Sequence, residues 1–113
     1  MRVVLMACLM LACGGKSVAA QEAQVYFYTG NDLFRYCISR DSAEVNVCRG
    51  FIAGVSDAQQ AGPSAATCRP KEASTAQLHD IVVKYLQENP QLRHYAALQL
   101  VQGALVLAFP CPR

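Results

Sequence analysis

The cysteines are the residues of this 113-residue chain whose type and spacing could do chemistry, and there are six of them. Two lie in an apolar N-terminal stretch, and the other four stand at Cys37, Cys48, Cys68 and Cys111. A structural zinc site needs closely paired ligands such as C-x2-C, and separations of 11, 20 and 43 positions do not provide them. In an exported chain, a thiol with a partner in reach would oxidise rather than act as a nucleophile. The four later cysteines therefore predict two disulfides, with no metal and no cofactor.

Histidine and aspartate side chains, the usual acid–base catalysts, are few and scattered. His79 and Asp80 are adjacent, and neighbours on a helix point about 100° apart, so we do not expect them to form a catalytic pair. His94 is the other histidine, and beside Arg93 it fits a surface or capping position. The sequence contains no G-x-S-x-G, H-E-x-x-H or glycine-rich phosphate-binding motif. These observations predict a protein that is not an enzyme.

The first twenty residues have the pattern of an export signal. Arg2 precedes an uncharged run of ten residues, Val3 to Ala12, and Val18-Ala19-Ala20 then offers the small residues that a signal peptidase prefers. The run is shorter than the ~20 apolar residues that span a bilayer. We therefore expect residues 1–20 to be removed and the mature protein to reside in the periplasm.

A second processing route starts from Cys13. Met10-Leu11-Ala12-Cys13, followed by Gly14, resembles a bacterial lipobox, although leucine usually stands where Met10 does. Cleavage before Cys13 would leave a lipidated protein anchored to the outer membrane. Both routes lead to an oxidising compartment, so the disulfide prediction holds for either.

Charge excludes two classes of partner. Residues 21–113 carry eight Lys and Arg against eight Asp and Glu, scattered singly. Nucleic acids and anionic membranes are bound through clustered cations, so both are disfavoured as partners. A chain of roughly ninety residues is also near the lower limit for a self-sufficient apolar core, which makes covalent staples expected.

Hydrophobic spacing predicts four helices joined by short breaks. Asn31 can cap the first helix, and the second runs from about Ala43 to Gln60. The third begins at the capping box Ser74–Gln77 and ends near Glu88, and the last runs from about Pro90 to Ala108. A helix as apolar as the last must be covered on nearly all sides, which favours a homodimer.

Two local sequence patterns lead to predictions about packing. Gly50 and Gly54 lie one turn apart in the second helix, and each costs about 1 kcal/mol relative to alanine. That cost favours a second helix backbone crossing closely there, with an exposed and tolerated pair as the alternative. The aromatic run Tyr26, Phe27 and Tyr28 is expected to provide apolar cover for the bundle rather than a contact patch.

The helix layout selects a disulfide pairing. Short connections make neighbouring helices antiparallel, so Cys37 and Cys48 lie at one end of the bundle. The second helix, rising 1.5 Å per residue, carries Cys68 to the opposite end, where the last helix brings Cys111. Disulfides need Cα atoms within about 7 Å, which favours Cys37–Cys48 and Cys68–Cys111 over the other connectivities. The predicted fold is an all-α bundle of about four helices stapled by two disulfides.

Several segments in order resemble the Rap/Tai immunity proteins. Cys48 to Asp57 (CRGFIAGVSD) is similar to the family pattern C-x-G-[FY]-[IV]-x-G-x-x-[DE], and Cys68-Arg69-Pro70 to its C-x-P. The other matching segments are Val83, Tyr85-Leu86, Pro90 and His94, then Ala104-Leu105 and Ala108-Phe109-Pro110-Cys111. Arg69 departs from the family, which usually has an aliphatic residue there. The resemblance covers residues 31 to 111, within a helical domain of residues 31–113, and leaves residues 21–30 as a lead-in segment.

The resemblance implies a periplasmic, all-helical and often homodimeric protein. Members protect a bacterium against type VI secretion effectors, in known cases amidases that cut peptidoglycan cross-links, by docking on the toxin and blocking its active-site cleft. An orphan member without a cognate toxin is also possible. Rival interpretations are a periplasmic acid-stress chaperone and a structural envelope lipoprotein, since those proteins are also small and exported.

Two exposed connections are candidates for contacting the toxin, because binding residues concentrate on loops. The first is the corner from Gln87 to Arg93, whose candidate partner-binding residues are Glu88, Asn89, Gln91 and Arg93. The second is the loop from Ala61 to Lys71, and ordinary turns are the alternative for both. Charge reversal at Glu88 and Arg93 is expected to weaken toxin binding without lowering the melting temperature.

Overall fold

The computed structural model describes residues 25–61 and 66–113. The predicted signal segment and Cys13 lie outside these residues. Four α-helices follow one another: α1 (Gly30–Cys37), α2 (Ser42–Gln60), α3 (Thr75–Glu88) and α4 (Ala97–Ala108), with a 3-10 turn at Pro90–Leu92 between the last two. The extended backbone of the described ranges forms one isolated β-bridge, between Thr29 and Ala96. The predicted all-α, four-helix fold is confirmed.

Side-chain caps set where the first three helices begin. Asp41 accepts a hydrogen bond from the Ala43 backbone N–H at 2.8 Å and so caps α2. The predicted box of Ser74 and Gln77 is present at the start of α3. The first helix begins earlier than expected, because Thr29 rather than Asn31 is its cap.

The cap of α1 is reciprocal. The Thr29 hydroxyl accepts from the Asp32 backbone N–H at 3.2 Å, and the Asp32 carboxylate accepts from the Thr29 backbone N–H at 2.9 Å. The Thr29 hydroxyl also donates to the Asp32 carboxylate at 2.7 Å. The two bonds that the carboxylate accepts from Thr29, the backbone bond first and then the hydroxyl bond, lower the pKa of Asp32 below its ordinary value. The expectation that Asn31 caps the helix is wrong because Asn31 already lies inside the first turn.

The last helix is shorter than its apolar sequence predicts. A continuous helix from Pro90 to Ala108 is wrong, since α4 begins only at Ala97. The preceding backbone hydrogen-bonds to the start of α1: Gly30 N–H donates to the Tyr95 carbonyl at 2.8 Å, and Asn31 N–H donates to the Arg93 carbonyl at 2.8 Å. On the other side, Ala97 N–H donates to the Tyr28 carbonyl at 2.9 Å. Bonds to a distant segment thus replace the helical bonds expected there.

The core lies between all four helices. Its largest fully buried side chains from the first three helices are Leu33, Ile52, Val82 and Leu86. The last helix contributes a buried stripe of Ala97, Leu100, Val101, Ala104 and Leu105. Burial on several sides of α4 explains why its sequence is so apolar. In the described part of the chain, no helix combines the length and apolarity that crossing a membrane requires.

The two disulfides form as predicted and sit in different surroundings. Cys37–Cys48 joins the end of α1 to α2 with a Cα–Cα distance of 5.1 Å, and both residues belong to the core. Cys68–Cys111 joins the segment before α3 to the C-terminal segment with a Cα–Cα distance of 4.8 Å. There Cys68 is exposed, and its N–H donates to the Phe109 carbonyl at 2.9 Å.

A close backbone approach occurs at a different glycine from the ones predicted. A Cβ built on Gly50 or Gly54 would meet nothing within 4 Å, so the expected helix crossing there is wrong. A Cβ built on Gly30 would overlap Leu100 Cδ1 and lie 2.9 Å from both Cα and O of Arg93. The start of α1 can approach the segment before α4 this closely only because residue 30 has no side chain.

Candidate partner-binding surfaces

The corner between α3 and α4 is built by two of its four predicted contact residues. The backbone N–H and side-chain Nδ2 of Asn89 both donate to the Tyr85 carbonyl, at 3.1 and 2.8 Å, and close the end of α3. Arg93 Nε donates to the Leu86 carbonyl at 2.7 Å, and the Arg93 guanidinium lies 4.1 Å from the centroid of the Phe34 ring. Asn89 and Arg93 therefore give the corner its shape.

The other two residues of the corner extend into solvent. Glu88 is exposed, and its carboxylate lies 3.8 Å from the ammonium of Lys84 one turn earlier in α3. Gln91 is also exposed, with a long hydrogen bond of 3.4 Å from its Nε2 to Asn89 Oδ1. Their side chains are free to exchange these weak surface contacts for a partner.

Arg93 cannot serve as a simple surface-charge probe. Reversing its charge would remove the bond to the Leu86 carbonyl and the stacking on Phe34. These contacts predict that charge reversal at Arg93 would lower the melting temperature, whereas the sequence alone predicted no change for Glu88 and Arg93. Glu88 and Gln91 are the suitable positions.

The second candidate loop is tied down at its base. Residues 62–65 lie outside the description, and the residues after them contact α2 and the C-terminus. Gln60 Nε2 donates to the Thr67 carbonyl at 3.0 Å, and the Arg69 guanidinium lies 3.1 Å from Asp57 Oδ1. Arg69, the departure from the family pattern, is thus paired with the acidic residue that ends the family-like segment of α2.

The aromatic residues before α1 divide into a buried and an exposed group. Tyr28 is half-buried and makes edge-to-face contacts with Tyr36 and Phe51, at centroid distances of 5.7 and 5.8 Å. Phe27 is 98% exposed and Val25 is 93% exposed. The expectation of apolar cover is confirmed for Tyr28 and wrong for Phe27. The alternation of an extended segment, in which neighbours point to opposite sides, could have indicated this.

An open apolar groove of about 460 Å³ runs beside this segment. Its lining residues are Val25, Tyr26, Phe27, Tyr28, Phe51, Val55 and Leu98. Exposed aromatic surface next to an apolar groove is typical of protein-binding surfaces. The sequence alone does not reveal this surface, because its walls come from three segments that are far apart in the chain.

The outer face of α4 is a further apolar surface. Leu107 is 72% exposed and Val106 is 40% exposed. Leu107 and Ala108 form a shallow depression with Ile81 and Tyr85 of α3, with Lys84 and Glu88 at its edge. This is the face on which the predicted homodimer seam would lie.

His79 and Asp80 do meet, contrary to the sequence-based expectation. His79 Nδ1 lies 3.1 Å from Asp80 Oδ1, while His79 Nε2 lies 3.0 Å from the Cys37 carbonyl oxygen at the end of α1. Only 15% of the His79 side chain is exposed. The ring therefore connects α3 to α1, a structural position. His94 is exposed and stacks on Tyr95 at 4.2 Å, which agrees with the surface position expected for it.

Comparison with known proteins agrees with the helical, disulfide-bonded fold described above. The family model of the Rap1a immunity proteins matches residues 29–111. A search of curated proteins gave no match. The matched region begins at the Thr29 cap of α1, ends at Cys111 and includes all four helices and both disulfides. Family membership implies an inhibitor rather than an enzyme, with a cognate effector as its binding partner. The resemblance noted in the sequence is confirmed: the chain belongs to the Rap1a immunity protein family.

Proposed function

We propose that this protein is a periplasmic immunity protein that binds a type VI secretion effector and blocks its activity. The match to the Rap1a immunity proteins over residues 29–111 carries the proposal. The export-signal pattern of residues 1–20 supports a periplasmic location, and lipidation at Cys13 with anchoring to the outer membrane is the alternative route.

The proposed target is an amidase that cuts peptide cross-links of peptidoglycan. Such a toxin works where the cell wall lies, which is the compartment to which the chain would be exported. Inhibition would be steric, with the immunity protein covering the entrance to the active-site cleft. Two disulfides and a capped helical bundle support this mechanism, because a rigid surface loses little ordering entropy when it binds.

The proposed contact surface is the corner between α3 and α4. Its outer side chains Glu88 and Gln91 would touch the toxin, while Asn89 and Arg93 hold the turn in shape. A homodimer joined across the outer face of α4 would cover Leu107 and approach Glu88, which lines the same depression, whereas Gln91 does not line it. Equilibrium sedimentation of the mature protein tests the dimer, since a monomer at all concentrations would contradict it.

Protection of living cells tests the function directly. A candidate amidase toxin would be directed to the periplasm of a host bacterium, with and without the immunity protein. We expect lysis without the immunity protein and growth with it. A version lacking residues 1–20, confined to the cytoplasm, is the matched control and should not protect.

A binding assay separates inhibition from indirect protection. The purified amidase and the mature immunity protein should form a stable complex on size exclusion and lose peptidoglycan-cleaving activity at equimolar ratio. A failure to bind combined with suppression of client aggregation at low pH would support the acid-stress chaperone instead. Intact-mass measurement would reveal whether Cys13 carries acyl chains.

A further inference from the structure

The corner between α3 and α4 is held by the first helix, which precedes it in the chain by two helices. Gly30 N–H donates to the Tyr95 carbonyl at 2.8 Å. The next donor of α1, Asn31 N–H, bonds to the Arg93 carbonyl at 2.8 Å. One turn along α1, the centroid of the Phe34 ring lies 4.1 Å from the Arg93 guanidinium carbon. We propose that α1 positions the corner for effector binding, with Phe34 as a positioning residue that acts through Arg93; this inference rests on the proposed function.

The two backbone bonds use donors that a helix cannot satisfy by itself. The first N–H groups of an α-helix have no partner inside the helix, and they form the positive end of its dipole. Gly30 and Asn31 are the first two residues of α1, and the corner supplies their acceptors. The third donor, Asp32 N–H, bonds to the Thr29 hydroxyl. The corner is therefore part of the N-terminal cap of α1, and opening it would leave two donors unpaired.

Arg93 joins this helix start to the end of another helix. Its carbonyl accepts from α1, while its Nε donates to the Leu86 carbonyl in the last turn of α3 at 2.7 Å. A cation is favourable at a helix C-terminus, where unpaired carbonyls form the negative end of the dipole. The Phe34 ring covers the guanidinium, so the arginine cannot swing away without losing a cation–π contact. Backbone and side chain of Arg93 are thus fixed together, and Phe34 contributes to both.

The proposed contact side chains depend on this fixed backbone. The Gln91 side chain makes a long hydrogen bond of 3.4 Å to Asn89 Oδ1, which is too weak to direct it. Its direction is therefore set by the backbone between Asn89, which closes α3, and Arg93, which α1 holds. A corner ordered before binding loses less entropy in the complex. If Arg93 is loosened, fewer free molecules have a corner ready to bind, and the apparent affinity falls by that fraction.

A positioning residue and a contact residue should affect different steps of binding. Removing a contact side chain such as Gln91 mainly speeds dissociation, because the complex has lost an interaction. Loosening the free corner leaves the contacts of the complex in place but requires the corner to become ordered first. Phe34 should therefore influence the association rate and leave the dissociation rate unchanged, which a contact residue would not do.

Hydrogen exchange of the mature protein, followed by NMR with both disulfides intact, tests whether α1 holds the corner. Phe34→Leu keeps apolar cover but removes the ring face. We expect the amides of Gly30 and Asn31 to exchange about fivefold faster, the factor expected from a lost cation–π contact. Tyr36→Leu is the matched control, because Tyr36 is also a half-buried aromatic residue of α1 but packs on Tyr28. It should leave these two amides as they are in the parent.

Binding kinetics with an immobilised peptidoglycan amidase toxin test the positioning role. We expect association of Phe34→Leu to be slower than that of the parent by at least about threefold, with an unchanged dissociation rate. Phe34→Tyr keeps the ring and should restore the parental rate. Tyr36→Leu should associate like the parent, while Gln91→Lys should dissociate faster. Phe34→Met also lacks the ring and should repeat the pattern of Phe34→Leu.

The outcomes separate this inference from the proposed function. Equal exchange in Phe34→Leu and Tyr36→Leu would show that the ring does not hold the corner. Faster exchange of the corner amides with a parental association rate would make Phe34 a purely structural residue. Either result, with a parent protein that binds the amidase, overturns the positioning role alone. A parent protein that does not bind the amidase contradicts the proposed function, and the positioning role fails with it.

Discussion

Glycine is required for close packing in one region of this molecule and has no packing role in another. At the Gly30 junction, where Gly30 meets Arg93 and Leu100, an added Cβ would collide with backbone. On the outer face of α2, at Gly50 and Gly54, an added Cβ would enter open space. A glycine inside a helix costs stability in either place, but only at the junction does the fold gain a close contact in return.

Gly30→Ala should have the largest effect on stability. The added Cβ would overlap Leu100 Cδ1 and would lie 2.9 Å from the Cα and O of Arg93, and this backbone cannot turn aside as a side chain can. We expect the free energy of unfolding to fall by about 3 kcal/mol, measured by urea denaturation with the disulfides intact. Gly103→Ala is the control, because its Cβ would meet only Tyr85 Oη at 3.7 Å. A loss below about 1 kcal/mol would show that the junction can relax.

Arg93→Ala should have the next largest effect. It removes the bond from Nε to the Leu86 carbonyl and the stacking on Phe34, together worth about 2 kcal/mol. Arg93→Lys should recover only part of the loss, since lysine keeps the charge but lacks the planar group. Arg49→Ala, at an exposed arginine of α2, is the control. Equal melting temperatures for Arg93→Ala and Arg49→Ala would contradict this role.

Gly54→Ala should raise the stability of the protein, whereas Gly30→Ala should lower it. Alanine is better than glycine inside a helix by about 1 kcal/mol, and nothing within 4 Å obstructs the new methyl group. Thermal unfolding should therefore show a stabilised protein, and Gly50→Ala should behave alike. A destabilised variant would indicate that a second copy packs closely on the outer face of α2.

Asp32→Asn should have a smaller effect that depends on pH. Bonds from Thr29 lower the pKa of Asp32, so its carboxylate stabilises the fold fully above about pH 4 and loses that effect as pH falls through its folded-state pKa. The variant should be less stable than the parent at neutral pH, and the difference should shrink in acid. Urea denaturation at several pH values measures it, and a difference that stays constant would exclude the ionised cap.

Charge changes at the corner should affect binding while leaving stability nearly unchanged. The double variant Glu88→Lys, Gln91→Lys alters exposed side chains, so the free energy of unfolding should change by less than about 0.5 kcal/mol. Its affinity for the effector should fall at least about tenfold, measured by calorimetry. Glu72→Lys, an exposed acid elsewhere, is the control. Unchanged affinity in the double variant would move the contact surface away from the corner.

Much of the fold could be predicted because it depends on local signals. The capping box of Ser74 and Gln77 fixes the start of α3, and the hydrophobic stripe of α2 fixes its buried face. The disulfide pairing followed from helix direction alone. The break before α4 could not be predicted, because Tyr95 and Arg93 bond to residues more than sixty positions earlier in the chain. Local apolar spacing continues through the break and gives no sign of it.

The candidate surfaces were less accessible to sequence reasoning. The position of the corner could be predicted from Asn89-Pro90. The sequence could not show that Arg93 holds the corner in shape while Gln91 extends from it into solvent. This difference depends on the position of Phe34 in another helix. The groove beside Phe27 was missed for the same reason, since its walls come from three separate segments.

The pairing of consecutive cysteines bears on how the protein would mature if it is exported as proposed. Cys37 joins Cys48 and Cys68 joins Cys111, so the two covalent rings follow one another along the chain without interlocking. If the N-terminus crosses the membrane first, the small ring can close before the cysteines of the large ring emerge. Oxidation in order of emergence then yields the native pairing, and no bond has to be broken and remade by an isomerase.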